Sequence, residues 1–233
     1  VELVIRINAL NSEWGPDDLE AAIRCRPDAV LLPKVERAGD LLEAGAILEA
    51  HGADIRLWAM IETPRAVADA VVIAESGNAP GGRLDCLVIG SNDLAKDTGI
   101  VLPQGRPFLQ TWLMQILLAA RVAGLDALDG VYNDFRDAAG FAAECRSGRL
   151  MGFDGKTLIH PSQIGPANAA FGAHEDDIAA ARAVVAAFAD PQNAGKGVLQ
   201  LDGRMVERLH LEQAQKLLAR ADTASDDKTG MDR

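Results

Sequence analysis

Short apolar runs alternate with longer amphipathic stretches along most of this chain, and that rhythm leaves few folds open to it. The apolar runs are Leu3–Asn8, Ala29–Val35, Leu57–Thr63, Cys86–Gly90, Leu128–Tyr132 and Thr157–Pro161. Helical stretches lie between them at Asp17–Arg24, Ala38–His51, Pro64–Ser76, Pro107–Ala123 and Asp137–Arg146. The pattern predicts a parallel sheet with crossover helices, built from β/α units of about 25–35 residues, the size of a barrel repeat. Ala and Leu dominate and aromatics are only 4%, which also favours a helix-rich α/β fold over a β-sandwich.

Eight such units close a TIM barrel, and six are legible here. The chain starts with VELVIRINAL, without Met and already inside a strand. The expectation is therefore a (β/α)8 barrel of which the six C-terminal units are present, over residues 1–172. The rhythm then breaks. His174–Ala189 reads as a helix with acids leading, as the helix dipole prefers. Val198–Glu207 reads as a hairpin around Asp202-Gly203, followed by a last helix, Glu207–Ala221. Residues 173–221 thus form a helix–hairpin–helix extension. The polar residues 222–233 are expected to be a disordered tail.

A formal net charge of −11 argues against a nucleic-acid partner, since no basic stripe is available to replace counterions on phosphates. No apolar run approaches the roughly 20 residues of a membrane span, and no signal peptide is visible, so a cytoplasmic protein is expected. Cys25, Cys86 and Cys145 stand far apart and read as reduced, structural thiols.

In a barrel the chemistry sits at the C-terminal ends of the strands. Glu62 closes LWAMIET, where a carboxylate is costly to bury unless paired or bound to a cation; it is either a ligand or a solvent-exposed strand end. Asp93 follows CLVIG in the loop SNDLAKD and is either a helix cap or a ligand. Together the two would make an open, all-oxygen site suited to Mg²⁺ or Mn²⁺, whereas zinc lacks a nearby His or Cys. In LVIRIN, Leu3, Ile5 and Ile7 share one face, which turns Arg6 and Asn8 toward the interior. There Arg6 could fork onto a substrate carboxylate or form an internal salt bridge. Lys34 and Glu36 sit at the next strand top and are candidates to pair with each other. His160 reads as a hydrogen-bonded structural histidine. Asp154, Gly155 and Lys156 read as a turn entering the last strand, at the opposite, stability face. GRLMGFDGKT is not a phosphate loop, because Leu150 replaces the required first Gly and a strand follows instead of a helix. GxGxxG, GxSxG and HExxH are absent.

The strings VIRINAL, LLPKVE, MIETPRAV, VIGSNDLAKD, LDGVYNDFRD and GFDGKTLIHPSQI, in this order, resemble the HpcH/HpaI aldolase–citrate lyase superfamily. Within it they are similar to the citrate lyase β-subunit/malyl-CoA lyase branch, from about Val4 to Glu207. The resemblance implies a TIM barrel with C-terminal helices, assembled as trimers or hexamers, and matches the third to eighth strands. It further implies that Glu62 and Asp93 are Mg²⁺ ligands, Glu62 also facing the substrate, and that Arg6 binds the substrate carboxylate. Asp202 matches an acid that relatives bring over a neighbouring subunit's active site. Two departures stand out: SGNAPGGR lengthens the Glu62-to-Asp93 interval, and SNDL replaces the AEDL of many members.

The activity implied is a reversible Claisen-type cleavage of a 3-hydroxyacyl thioester (malyl, citramalyl or citryl) into a keto acid and an acyl thioester. The carrier would be coenzyme A or an acyl-carrier protein. Arg6 would offset charge on the carbonyl, and Asp202 would take the hydroxyl proton. The alternatives are a pyruvate-type aldolase or malyl-thioester hydrolase on the same scaffold, and a truncated, non-catalytic member.

Overall fold

The computed structural model describes residues 2–230, the side chains of 220 and 222–230 excepted. Six strands form one sheet in sequence order, every neighbouring pair parallel: β1 (Val4–Arg6), β2 (Ala29–Leu32), β3 (Arg56–Ile61), β4 (Leu84–Ile89), β5 (Asp126–Asp129) and β6 (Gly155–Lys156). The sheet curls into a half-barrel with helices around it. These are α1 (Gly15–Cys25), α2 (Ala38–Ala50), α3 (Pro64–Ala68), α4 (Ala70–Glu75), α5 (Ser91–Thr98), α6 (Gln110–Ala123), α7 (Ala138–Met151) and α8 (Ile164–Phe171).

The period of two along each strand divides the side chains between two faces. Ile5, Val30, Leu32, Leu57, Ala59, Ile61, Leu87, Ile89 and Ala127 join the large core under the helices, with Leu19, Leu48, Ile73 and Leu113. Each fully buried Leu or Ile there contributes about 2 kcal/mol of apolar transfer. The alternate positions Val4, Leu31, Trp58, Met60, Cys86, Val88 and Leu128 form a separate cluster on the concave face. That face ends, strand by strand, at the C-terminal rim.

Local chemistry fixes the helix starts. Thr63 caps α3 by accepting from the Ala66 N–H at 3.1 Å, and Pro64 follows in the first turn. At the start of α2 the Asp40 carboxylate accepts from the Arg37 main-chain N–H at 3.2 Å and from its Nε at 2.9 Å. Asp137 caps α7 by accepting from the Gly140 N–H at 2.9 Å.

Four expectations change. The sixth strand is Gly155–Lys156, not Thr157–Pro161, so Lys156 is a strand residue in register with Asp129. Pro64–Ser76 is two helices broken at Asp69. Asn8 is tied to α1, its main-chain N–H and side-chain amide both donating to Asp18 Oδ2, so it is held by a helix and does not point with Arg6. The last helix, α10, runs Arg208–Gly230, so the backbone is helical through most of the expected tail; residues 231–233 lie outside the described residues.

The chain divides into two compact units, the half-barrel to Phe171 and a second unit from Gly172 onward. In the second, α9 (Glu175–Ala189) and α10 pack with the antiparallel hairpin β7 (Val198–Leu201) and β8 (Arg204–Glu207). Leu199 and Val206 face each other across the hairpin and are buried. Its turn, Asp202-Gly203, has positive φ at both positions (49° and 76°), as a type I′ hairpin requires. Among the described residues no helix is long and apolar enough to cross a membrane.

Candidate active site

Glu62 follows β3 directly and continues the concave side of Trp58 and Met60. It is 4% exposed. Such a carboxylate needs compensation, and two neighbouring strand tops supply it. From the β2 top, the Lys34 main-chain N–H donates to Glu62 Oε1 at 2.8 Å. From the first turn of α5, Asp93 meets Glu62 in a carboxyl–carboxyl hydrogen bond. Lys34 Nζ lies 3.1 Å from Asp93 Oδ1, which closes the ring. Gly90, between β4 and α5, leaves the room: a Cβ there would sit 2.2 Å from the Glu62 Cβ.

Two acids in contact cannot both ionise cheaply, so their affinities for a proton separate. Burial, then the hydrogen bond with Asp93, raises the Glu62 carboxyl to about 6. Burial also works against ionised Asp93, but the hydrogen bond from Glu62 and the Lys34 ammonium hold it below the usual carboxylate range. Glu62 is thus the later of the two to ionise, and the Lys34 ammonium balances charge on Asp93. The donor set fits a hard divalent cation: two carboxylates, no imidazole or thiolate among the partners, and an open rim for other oxygen ligands. Among the described residues no group of three or more His, Cys, Asp and Glu side chains gathers as a metal cage, so the two carboxylates would leave the remaining positions of an ion to water and ligand oxygens.

Within the site, Lys34 is placed differently from its sequence expectation. It pairs with Asp93, not with Glu36, whose main-chain N–H instead donates to Asp40. Its φ of 54° is left-handed, a conformation that costs a non-glycine residue about 1–2 kcal/mol. No strand or helix pattern signals such a backbone.

Arg6 ends β1 on the same side as Val4; it is exposed and makes no ion pair among the described residues. Asp202 belongs to the second unit, in the hairpin turn, and is exposed. His160 is structural: its Nδ1 lies 2.8 Å from Ser162 Oγ, and its ring stacks on Phe135 at 4.7 Å. The three cysteines are free thiols.

Beneath the rim, on the helix side of β5 and β6, lies a buried ion network. The Arg106 guanidinium forks onto Asp129 at 2.8 and 2.9 Å and reaches Glu144 at 2.9 Å. Lys156 Nζ lies 3.0 Å from Asp129 and 2.7 Å from Glu144. Burial opposes ionised Asp129, yet Arg106 and Lys156 hold it below the usual range. Two cations and two anions balance, and the network ties α7 and the segment before α6 to β5 and β6.

A curled parallel β/α sheet with carboxylates gathered at its C-terminal rim is the arrangement of β/α-barrel enzymes. Residues 1–161 match the family described as HpcH/HpaI aldolase/citrate lyase, and the chain belongs to that family. It is 45% identical over 219 residues to a (3S)-malyl-CoA thioesterase of Cereibacter sphaeroides, covering 94% of this chain and 74% of the relative. It is 36% identical to the citrate lyase subunit beta of Escherichia coli, covering 95% and 74%. CitE from Mycobacterium tuberculosis, solved with magnesium, acetoacetate and coenzyme A, is similar with a TM-score of 0.72 and 30% identity, covering 94% of this chain and 78% of that one.

Proposed function

We propose that the protein is a Mg²⁺-dependent carbon–carbon lyase that cleaves a 3-hydroxyacyl-CoA thioester of the malyl, citramalyl or citryl type. The observation that carries this reading is the Glu62–Asp93 carboxylate pair at the barrel rim, held by Lys34. Magnesium in the CitE structure supports the choice of metal, with Mn²⁺ as a substitute.

When bound, the cation would supply Lewis-acid polarisation of the substrate's hydroxyl and carboxylate oxygens. Glu62 and Asp93 would hold it. Arg6, on the concave side and without an ion-pair partner among the described residues, forks onto the substrate carboxylate and offsets charge on the carbonyl that forms. A base removes the hydroxyl proton, the adjacent carbon–carbon bond breaks, and its electron pair passes to the carbon beside the thioester; protonation of that enolate gives the acyl thioester. Asp202, delivered by a second copy in a trimer or hexamer, is the proposed base. The setting is the cytoplasm, and the carrier is coenzyme A or an acyl-carrier protein.

A second reading, hydrolysis of the malyl thioester to malate and free thiol, is favoured by one observation. The relative at 45% identity bears that activity in its name, while the citrate lyase subunit stands at 36%. Incubation with (3S)-malyl-CoA, with and without EDTA, separates them. Glyoxylate and acetyl-CoA in equal amounts support the lyase; malate and free thiol alone support the hydrolase. No metal-dependent product of either kind would remove both readings.

A further inference from the structure

Lys34 touches both carboxylates, one through its main chain and one through its side chain. Stability does not account for this. The Lys34–Asp93 pair is roughly half-exposed, and pairs of that kind contribute little to folding. The left-handed backbone that allows both contacts is itself unfavourable for lysine. The two contacts also differ in kind. The N–H to Glu62 is fixed by the chain, whereas the ammonium stands on a flexible four-carbon stem and can leave Asp93 without any change of backbone.

Lys34 also lines a cavity of about 560 Å³ at the tops of β1 and β2. Two other cations there, Arg37 and Arg65, face Asp40 and Asp69, three and four residues along the chain, at 2.9 and 3.6 Å. Lys34 is thus the cation of this cavity whose anionic partner lies across the site, on an oxygen that a metal would need. An ammonium and a divalent ion cannot both sit against Asp93 without strong repulsion.

We propose that Lys34 is a placeholder cation: its ammonium occupies Asp93 in the empty site, yields to an incoming divalent ion, and then pairs with a carboxylate of the organic ligand. This positioning role rests on the reading of Glu62 and Asp93 as metal ligands. It predicts that removal of the ammonium tightens metal binding and weakens ligand binding, opposite effects that a structural lysine would not produce.

The test is titration of Mn²⁺, followed by the electron-paramagnetic resonance signal of the free ion, with wild type, Lys34→Met, Lys34→Gly, Lys34→Arg and Glu62→Gln. Lys34→Gly keeps the N–H to Glu62 and suits the left-handed backbone, so the fold is preserved even if the Met variant is not. Lys34→Met and Lys34→Gly should bind Mn²⁺ on the order of tenfold tighter than wild type, and Lys34→Arg about as wild type. The Mn²⁺-loaded Met or Gly variant should bind pyruvate, the carboxylate probe, on the order of tenfold more weakly. Equal Mn²⁺ affinity in wild type and both neutral variants overturns the placeholder while leaving the metal site standing. Unchanged pyruvate affinity overturns the hand-over. Absence of Mn²⁺ binding in wild type, or binding unaffected by Glu62→Gln, overturns the metal site and the placeholder together.

Discussion

At the scale of single residues, Glu62 is held from three sides, and Gly90 forms the tightest of them. A methyl group on Gly90 would overlap the Glu62 Cβ and crowd its Oε2 and the Met60 side chain. Gly90→Ala should lower Mn²⁺ affinity by more than about tenfold while costing about 1–3 kcal/mol of stability, as overpacking does; calorimetric titration and urea unfolding measure the two. Acidity offers a second test. Burial and Asp93 raise the Glu62 carboxyl to about 6. A carboxyl raised in the folded state binds its proton more tightly there than in the unfolded chain. Its contribution therefore favours the fold at low pH and is lost as pH rises from the usual carboxylate range through about 6. A cation needs the ionised form, so Mg²⁺ should raise the melting temperature more at about pH 7.5 than at about pH 5. Equal shifts at the two values would remove Glu62 from the metal site.

At the scale of elements, the ion network around Asp129 decides where β5, β6 and α7 meet. Asp129 is fully buried between Arg106 and Lys156. Asp129→Ala leaves two buried cations short of a partner and should cost about 3–5 kcal/mol in urea unfolding. Because Asp129 is held below the usual range, its stabilisation is present above the unfolded carboxylate value and is lost as pH falls through the lower, folded one. This network also marks where sequence reading stopped. The run Thr157–Ile159 imitates a strand, but the strand forms over Gly155–Lys156, since Lys156 inside meets Asp129 and Glu144. Arg106 lies in a Pro- and Gly-containing loop with no periodicity to announce it. The parallel order of β1 to β6 was legible, because alternation of apolar runs and amphipathic helices survives small errors in strand ends. The approach of Glu62 and Asp93 was legible because one carboxylate closes an apolar run and the other follows the next run within a few residues. The contact of Lys34 with Asp93 was not, since it depends on a left-handed residue and on two strand tops remote in sequence.

At the scale of the whole molecule, the half-barrel and the second unit each have their own packing, and the proposed base lies in the second. The turn at Asp202 is chosen by backbone conformation, which Asn adopts as readily as Asp. Asp202→Asn should therefore leave the melting temperature unchanged while lowering kcat on the order of 10²-fold or more. An unchanged kcat would move the base elsewhere. Finally, the concave cluster includes Trp58, partly exposed and on the same face of β3 as Met60 and Glu62. The chain thereby carries an optical reporter inside its own barrel. With Trp14 and Trp112 changed to Phe, emission from Trp58 should shift to the blue, and become harder for acrylamide to quench, when the metal-loaded interior fills. A fluorimeter could then follow occupancy in real time, without a labelled substrate and before any bond is broken.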